Sequence, residues 1–345
     1  MPAKDGLLIR LRPPGGTLSS AQLKALALSC AADGNGLVDL TGQARLQVRG
    51  LSSESLPKFT ASMVEAGLAD PNPEYELRRR VTLLHGGDAS LAAALEAALI
   101  AAPIAFAEKF DVVVGRDDGP NADIMLHQGR LWLASAVKAA SCADPLQAVL
   151  HIAAALNGRR VREVDVSALY DAAALQPDSA IPAPETSISG IGLLFGAMKS
   201  ATLLVLAELG EAYGDGTWHL TRSRSLILGA VRSPVALMQA AEAQGFMTAP
   251  TDPGRRVFAC PGVLGCESAT NDTRQAAQML LAALPEGRTL HVSGCSKGCA
   301  YPQPADFTFV GTHSGYDLVR NGRAKDVALV QGLQLAAARA HMLLA

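Results

Sequence analysis

The chain repeats itself. Residues 23–48 align without a gap on residues 203–228: Leu23 maps to Leu203, Leu26 to Leu206, Gly36 to Gly216, Leu40 to Leu220, Thr41 to Thr221, Leu46 to Leu226 and Val48 to Leu228. In the first copy a strand-like run, Gly6 to Arg12, is broken by Pro13-Pro14-Gly15-Gly16. Thr17 or Ser19 then caps a helix with Leu18, Leu23, Leu26 and Ala27 on one face, which Asp33-Gly34-Asn35-Gly36 ends. Leu37 to Thr41 and Arg45 to Arg49 alternate apolar and polar residues as the two strands of a hairpin, and a helix over about Pro57 to Ala66 completes a βαββα unit. Such a unit has one apolar sheet face to bury. Two copies that bury it against each other leave a cleft along their pseudo-twofold interface, a common place for a ligand. The chain therefore divides into a half-domain repeat at 6–68, a mixed unit at 76–171, a second half-domain repeat at 188–248 and a cysteine-bearing unit at 251–330. Residues 172–187, rich in Pro and Ser, read as a linker.

The chain has 345 residues, of which 49% are apolar and 18% charged, so a large core can form and wholesale disorder is excluded. A net charge of −2 gives no bulk attraction to nucleic acid or to an anionic membrane. The most apolar stretch, Leu91 to Ala107, contains Glu96 and Pro103 and is too short to span a bilayer, and no apolar signal segment follows Met1. A cytoplasmic location is the simplest expectation. There, six cysteines do not make a disulfide framework. Of the 30 cationic side chains 22 are Arg, which suits a site that grips carboxylates because the guanidinium fork pairs with them bidentately.

Cys30 and Cys142 are isolated and read as packing residues, whereas Cys260, Cys266, Cys295 and Cys299 fall in one 40-residue stretch. The pattern is C-x5-C, then C-x3-C. Four thiolates can hold one [4Fe–4S] cluster, one per iron. Structural zinc prefers tighter knuckles, and buried free thiols are the remaining reading. Pro261, Gly262, Gly265, Gly294 and Gly298 flank the cysteines and let the backbone turn its N–H groups toward a cluster.

Ser293-Gly-Cys-Ser-Lys-Gly-Cys299, followed by Asp306-Phe-Thr-Phe309, resembles the cluster signature of the sirohaem-containing nitrite and sulfite reductases, and the upstream C-x5-C agrees. The resemblance implies an α+β fold of nitrite/sulfite reductase type: two ferredoxin-like half-domain repeats, each followed by a mixed α/β domain. Within that superfamily the chain most resembles the precorrin-3B synthase branch, in its length and in its ending, Gly315-Tyr-Asp-Leu-Val-Arg-Asn-Gly-Arg-Ala324.

Carried over residue by residue, the resemblance implies a tetrapyrrole-binding set. Arg10 and Arg12 match the opening arginines, while Gln47 and Arg49 match the end of a strand motif whose first arginine is Gln43 here. Arg45 is a substitute for that arginine, Arg79 matches an Arg-Asn pair, and Arg224 matches an arginine of the second copy. Lys109 matches the first of two active-site lysines in the reductases, and the second position holds Asp111. A carboxylate there is expected to repel a small oxyanion substrate, which favours a different substrate in the same cleft.

The resemblance further implies precorrin-3A and O2 as substrates, hydroxylation at the C20 meso carbon with lactone formation, and an NADH-linked electron donor acting through a reductase. No Gly-x-Gly-x-x-Gly fingerprint is present for NADH itself. A second iron centre is implied beside the cluster, either sirohaem or a mononuclear non-haem iron. His85, His127, His219, His291 and His313 are candidate ligands for the latter, although no two share a metal-ligand spacing. The alternatives are a sirohaem-dependent sulfite or nitrite reductase and a non-catalytic iron–sulfur or tetrapyrrole-binding module.

Overall fold

The computed structural model describes residues 2–115, 122–134, 139–177 and 190–343. The first unit contains β1 (Pro2–Ala3), β2 (Gly6–Leu11), β3 (Thr17–Ser19), α1 (Ser20–Asp33), β4 (Leu37–Leu40), β5 (Leu46–Leu51) and α2 (Ser55–Glu65). The next contains α3 (Pro73–Arg78), β6 (Val81–Leu83), α4 (Ala89–Ala101), β7 (Val112–Val114), β8 (Ile124–His127), β9 (Arg130–Leu133), β10 (Ala139–Ser141), α5 (Pro145–Leu156) and α6 (Val166–Ala172). The third contains β11 (Ile191–Gly192), β12 (Ala197–Lys199), α7 (Ser200–Tyr213), β13 (Thr217–Leu220), β14 (Ser225–Leu228) and α8 (Pro234–Ala243). The last contains β15 (Val257–Ala259), α9 (Thr273–Leu281), β16 (Leu290–Ser293), β17 (Ala305–Thr312), β18 (Gly315–Gly322), β19 (Val330–Leu333) and α10 (Leu335–Leu343).

The 180-residue offset read from the leucines holds in the backbone. β3, α1 and β4 recur as β12, α7 and β13 with that offset at both ends. The left-handed positions recur too: Gly16 with Gly196, Gly36 with Gly216, and Ala44 (φ 52°) with Arg224 (φ 61°). The copies exchange strands. β12 of the second adds to β4 of the first (Ala197 opposite Asp39), and β3 of the first adds to β13 of the second (Thr17 opposite His219). Each pairing maps onto the other under the same offset, so the halves are related by a pseudo-twofold. At that axis Ser20 N donates to Gly216 O at 2.8 Å and Ser200 N to Gly36 O at 2.9 Å. α1 and α7 lie against each other over the shared core, which includes the fully buried Leu23, Leu26, Leu203, Leu206 and Trp218.

The duplication extends further than the leucine pattern reveals. Sheet β10-β9-β8-β7-β6 and sheet β15-β16-β17-β18-β19 share one strand order and one sequence of senses: two parallel pairings, then two antiparallel ones.

Local chemistry corrects some boundaries. Ser19, not Thr17, caps α1: its Oγ accepts from Gln22 N at 3.1 Å while Gln22 Oε1 accepts from Ser19 N at 2.9 Å, a reciprocal capping box. Thr17 lies in β3 instead. α2 starts at Ser55, two residues before Pro57, because a proline in the first helical turn gives up no intrahelical bond. Most of the linker expected at 172–187 lies outside the described residues.

Candidate active site

Strand alternation builds the site. In β2 and β5, Ile9, Leu11, Leu46 and Val48 face the core, so Arg10, Gln47 and Arg49 fall on the opposite face, where Arg10 and Gln47 stand directly across from each other. Arg12 and Arg45 extend this face at its open end and meet Arg80, just before β6, and Arg222, in the turn between β13 and β14. Arg45, Arg80 and Arg222 are buried and Arg12 is half-buried. Arg45 Nη1 donates to Gln43 Oε1 at 3.3 Å and Arg80 Nη1 to Glu108 O at 2.8 Å. Arg12 Nη1, Arg45 Nε and Arg80 Nε are buried with no hydrogen-bond acceptor among the described residues.

The electrostatics show the strain. Burial, and then Arg12, push the Arg45 guanidinium down to about 9. Burial and then Arg80 push Arg12 down to about 10, and burial and then Arg45 do the same to Arg80. Asp111 is the counter-ion among them, 1% exposed. Its Oδ2 accepts from Arg222 Nη1 at 2.5 Å, and Arg160 Nη2 lies 3.7 Å from its Oδ1. Burial alone raises Asp111, but Arg222 and then Arg45 outweigh it and hold the carboxyl below its ordinary range. The expectation that Asp111 faces a substrate and repels it is therefore corrected: the carboxylate is turned into the arginine cluster and neutralised there. Among the described residues four guanidinium groups gather round this buried carboxylate, with Glu76 and Glu96 acting on Arg12 and Glu108 on Arg80 from further out, and form a buried cationic floor. Native structures tolerate such a floor when a bound anion completes it.

Lys109 is exposed beside this floor, and its backbone carbonyl accepts from Gln43 Nε2 at 3.5 Å. Its charge reaches Cys299. Arg10 is exposed and paired with Glu108 at 3.5 Å. Three of the arginines singled out in the sequence are engaged elsewhere. Arg79 stands among Asp70, Glu76 and Glu96 at 3.6, 3.6 and 3.8 Å, and donates to Arg12 O at 3.3 Å. Arg224 donates to Val257 O at 3.1 Å and lies over the Phe258 ring. Arg49 pairs with Asp5 and donates to Gly265 O.

Sequence reasoning missed Arg80 and Arg222. Each lies within two residues of an arginine that was chosen, and the run Arg78-Arg79-Arg80 hides three separate tasks. Arg78 donates to the carbonyls of Leu99, Ile100 and Ile104 at the end of α4, Arg79 meets carboxylates, and Arg80 enters the floor.

The cysteines lie where two loops leave the parallel strands β15 and β16. Cys260, Cys266 and Cys295 are half-buried and Cys299 is exposed. Cys260 Sγ accepts from Gly294 N at 3.2 Å, which ties the first loop to the second. Burial pushes the Cys299 thiol up, Cys295 pushes it further, Lys109 opposes, and Cys260 and Cys266 add to the rise, so all four sulfurs share one neighbourhood. Among the described residues no three His, Cys, Asp or Glu side chains gather closely enough to hold a single metal ion. A cubane spreads its ligands over four corners, one per iron. An all-thiolate donor set carried on two adjoining loops, with an N–H already aimed at one sulfur, fits a [4Fe–4S] cluster. It does not fit a mononuclear iron. Of the candidate histidines, His85 and His219 approach to 5.3 Å between ring centroids, and no third ligand joins them among the described residues.

Residues 1–66 match the family model described as the nitrite/sulfite reductase ferredoxin-like half domain. In overall structure the chain is similar to the Mycobacterium tuberculosis NirA protein, with a TM-score of 0.70 over 94% of this chain and 77% of that one, at 17% identity, which speaks to the fold alone. It is 28% identical to a ferredoxin–nitrite reductase of Synechococcus elongatus, covering 95% of this chain and 79% of the relative. It is 31% identical to a precorrin-3B synthase of Sinorhizobium sp, covering 94% of this chain and 81% of that protein. With its duplicated nitrite/sulfite reductase-like fold and this match along nearly its whole length, the chain belongs to the precorrin-3B synthase family.

Proposed function

We propose that the chain is an iron–sulfur monooxygenase that converts precorrin-3A to precorrin-3B in aerobic cobalamin biosynthesis, by hydroxylation at C20 and lactone formation from a ring A acetate. The observation that carries this reading is the buried arginine floor, in which Arg12 Nη1, Arg45 Nε and Arg80 Nε meet no acceptor among the described residues and in which Asp111 is already paired with Arg222. Precorrin-3A is an octacarboxylate macrocycle, and its carboxylates complete such a floor. Each well-made guanidinium–carboxylate bond contributes about 1.5–3 kcal/mol. Arg12, Arg45, Arg80 and Arg222 grip the carboxylates, Asp111 holds Arg222 in place, and Lys109 keeps a positive charge at the mouth of the cleft beside Cys299. Residues 6–68 and 188–248 serve as the two walls of the cleft, and residues 76–171 and 251–330 as the units that close it.

Cys260, Cys266, Cys295 and Cys299 hold the [4Fe–4S] cluster, which when bound supplies electrons one at a time. The reaction places one oxygen atom in the product and reduces the other to water. It therefore takes up two electrons and two protons, the electrons coming from an NADH-linked reductase. An arginine floor that receives carboxylates also suits sirohaem. Binding of one macrocycle then excludes the other, and the second iron centre is the point on which the two readings diverge. Nitrite or sulfite reduction is less well supported. It would have to proceed with Lys109 alone of the reductases' lysine pair, since the second position is a buried carboxylate.

The test is to count iron, labile sulfide and extractable haem on anaerobically purified protein, then to supply precorrin-3A, reductant and O2. The proposal predicts about four irons and four sulfides for the cluster, no stoichiometric sirohaem, and oxygen uptake that depends on precorrin-3A. Stoichiometric sirohaem with anaerobic turnover of nitrite or sulfite would refute it.

A further inference from the structure

Arg49 comes from the first repeat, yet it reaches into the cysteine loop of the last unit. Its side chain is 3% exposed. Nε and Nη2 donate to the two carboxylate oxygens of Asp5 at 2.9 and 3.0 Å, a bidentate pair. Nη2 also donates to the carbonyl of Gly265. That carbonyl belongs to the peptide bond ending at the nitrogen of Cys266, so the guanidinium grips the link next to a cluster thiolate. The fit is close: a Cβ at Gly265 would lie 2.5 Å from Arg49 Nη2. Asp5 is fixed from behind by Asn35 Nδ2 at 3.0 Å, and Asn35 N donates to Arg49 O at 3.1 Å. On its inner side the loop closes on itself, with Cys266 N donating to Gly262 O at 2.9 Å and Val263 N to Asn271 O at 2.9 Å. The sequence resemblance places Arg49 among the tetrapyrrole ligands, but its guanidinium is engaged by Asp5 and by the cysteine loop.

We propose that Arg49 is a positioning residue for the cluster: with Asp5 it clamps the Cys260–Cys266 loop and sets the charge that the bound cluster feels. The inference rests on reading the four cysteines as cluster ligands. A lysine in place of Arg49 keeps the charge but lacks the planar fork that holds Asp5 and Gly265 O together. Removing the charge of Asp5 leaves the guanidinium uncompensated beside an anionic cluster, which favours the state holding one more electron.

The experiment compares wild-type protein with Arg49→Gln, Arg49→Lys and Asp5→Asn, all purified anaerobically. Iron release to a chelator, the electron paramagnetic resonance signal of the reduced cluster, the midpoint potential and the far-ultraviolet circular dichroism are read for each. Arg49→Gln is expected to release iron about 10- to 100-fold faster than wild type, the usual range for loss of a residue supporting a metal ligand. Arg49→Lys should fall between the two, and Asp5→Asn should shift the potential to more positive values with the fold intact. If Arg49→Gln does not fold, the other two variants decide. Wild-type release rates in Arg49→Lys, together with an unshifted potential in Asp5→Asn, would overturn the inference. Wild-type protein that carries no iron and sulfide would refute the cluster reading itself.

Discussion

Replacing Arg45 with methionine should make the protein more stable and a poorer binder of its ligand. In the structure Arg45 is 5% exposed, its Nε has no acceptor among the described residues, and its Nη1 reaches Gln43 at 3.3 Å. Burial and then Arg12 push its guanidinium down to about 9, so at pH 7 it remains charged in a place that disfavours the charge. Methionine fills much of the same volume with no charge to bury. Exchanging buried ionic groups for apolar ones of similar size stabilises by about 1–4 kcal/mol, and a gain in that range is expected here. The opposite sign holds for binding. Loss of one guanidinium–carboxylate interaction costs about 1.5–3 kcal/mol, or about 10- to 150-fold in affinity. Urea unfolding of the ligand-free protein measures the first effect, and absorbance titration with an octacarboxylate porphyrin measures the second. A variant that is less stable and binds the porphyrin as tightly as wild type would refute the reasoning, because the guanidinium would then be structural.

Asp111→Asn should destabilise the protein by about 3–5 kcal/mol, since it breaks the buried Arg222–Asp111 pair at 2.5 Å. Because Asp111 is held below its ordinary range, its contribution is present above about pH 4, the unfolded value, and is lost as pH falls through the folded value. The gap between wild type and variant in urea unfolding should therefore narrow on acidification. Cys295→Ser should abolish the broad near-visible absorption of the cluster and lower iron and sulfide per chain; unchanged content would rule out the ligand assignment. Gly196→Ala should destabilise by more than about 1 kcal/mol in thermal unfolding, because the residue has φ +73° and a Cβ there meets the carbonyl of Leu40 across the pseudo-twofold.

The repeat was legible because leucines and glycines mark its helix and turn. The strand exchange was not, since β3 and β12 are three-residue strands whose partners lie about 200 and about 160 residues away, and periodicity carries no information on partners at that distance. The second duplication, between the two mixed sheets, survives in strand order and sense rather than in recognisable residues. At the site, alternation in β2 and β5 placed Arg10, Gln47 and Arg49 on one face, but a face is shared by two destinations. Arg12 and Arg45 go to the arginine floor, while Arg49 goes to Asp5 and the cysteine loop, partners that no strand pattern reveals. Asp111 was misjudged because a carboxylate in a sequence looks exposed until the buried arginines around it are known.

Turnover of precorrin-3A under isotopically heavy O2, with reductant supplied and the product mass measured, tests the central claim most directly. The account predicts a single heavy oxygen atom in the tetrapyrrole product and none when the gas is withheld. A product without the label, or reduction of nitrite or sulfite by the same protein in the absence of O2, would contradict it.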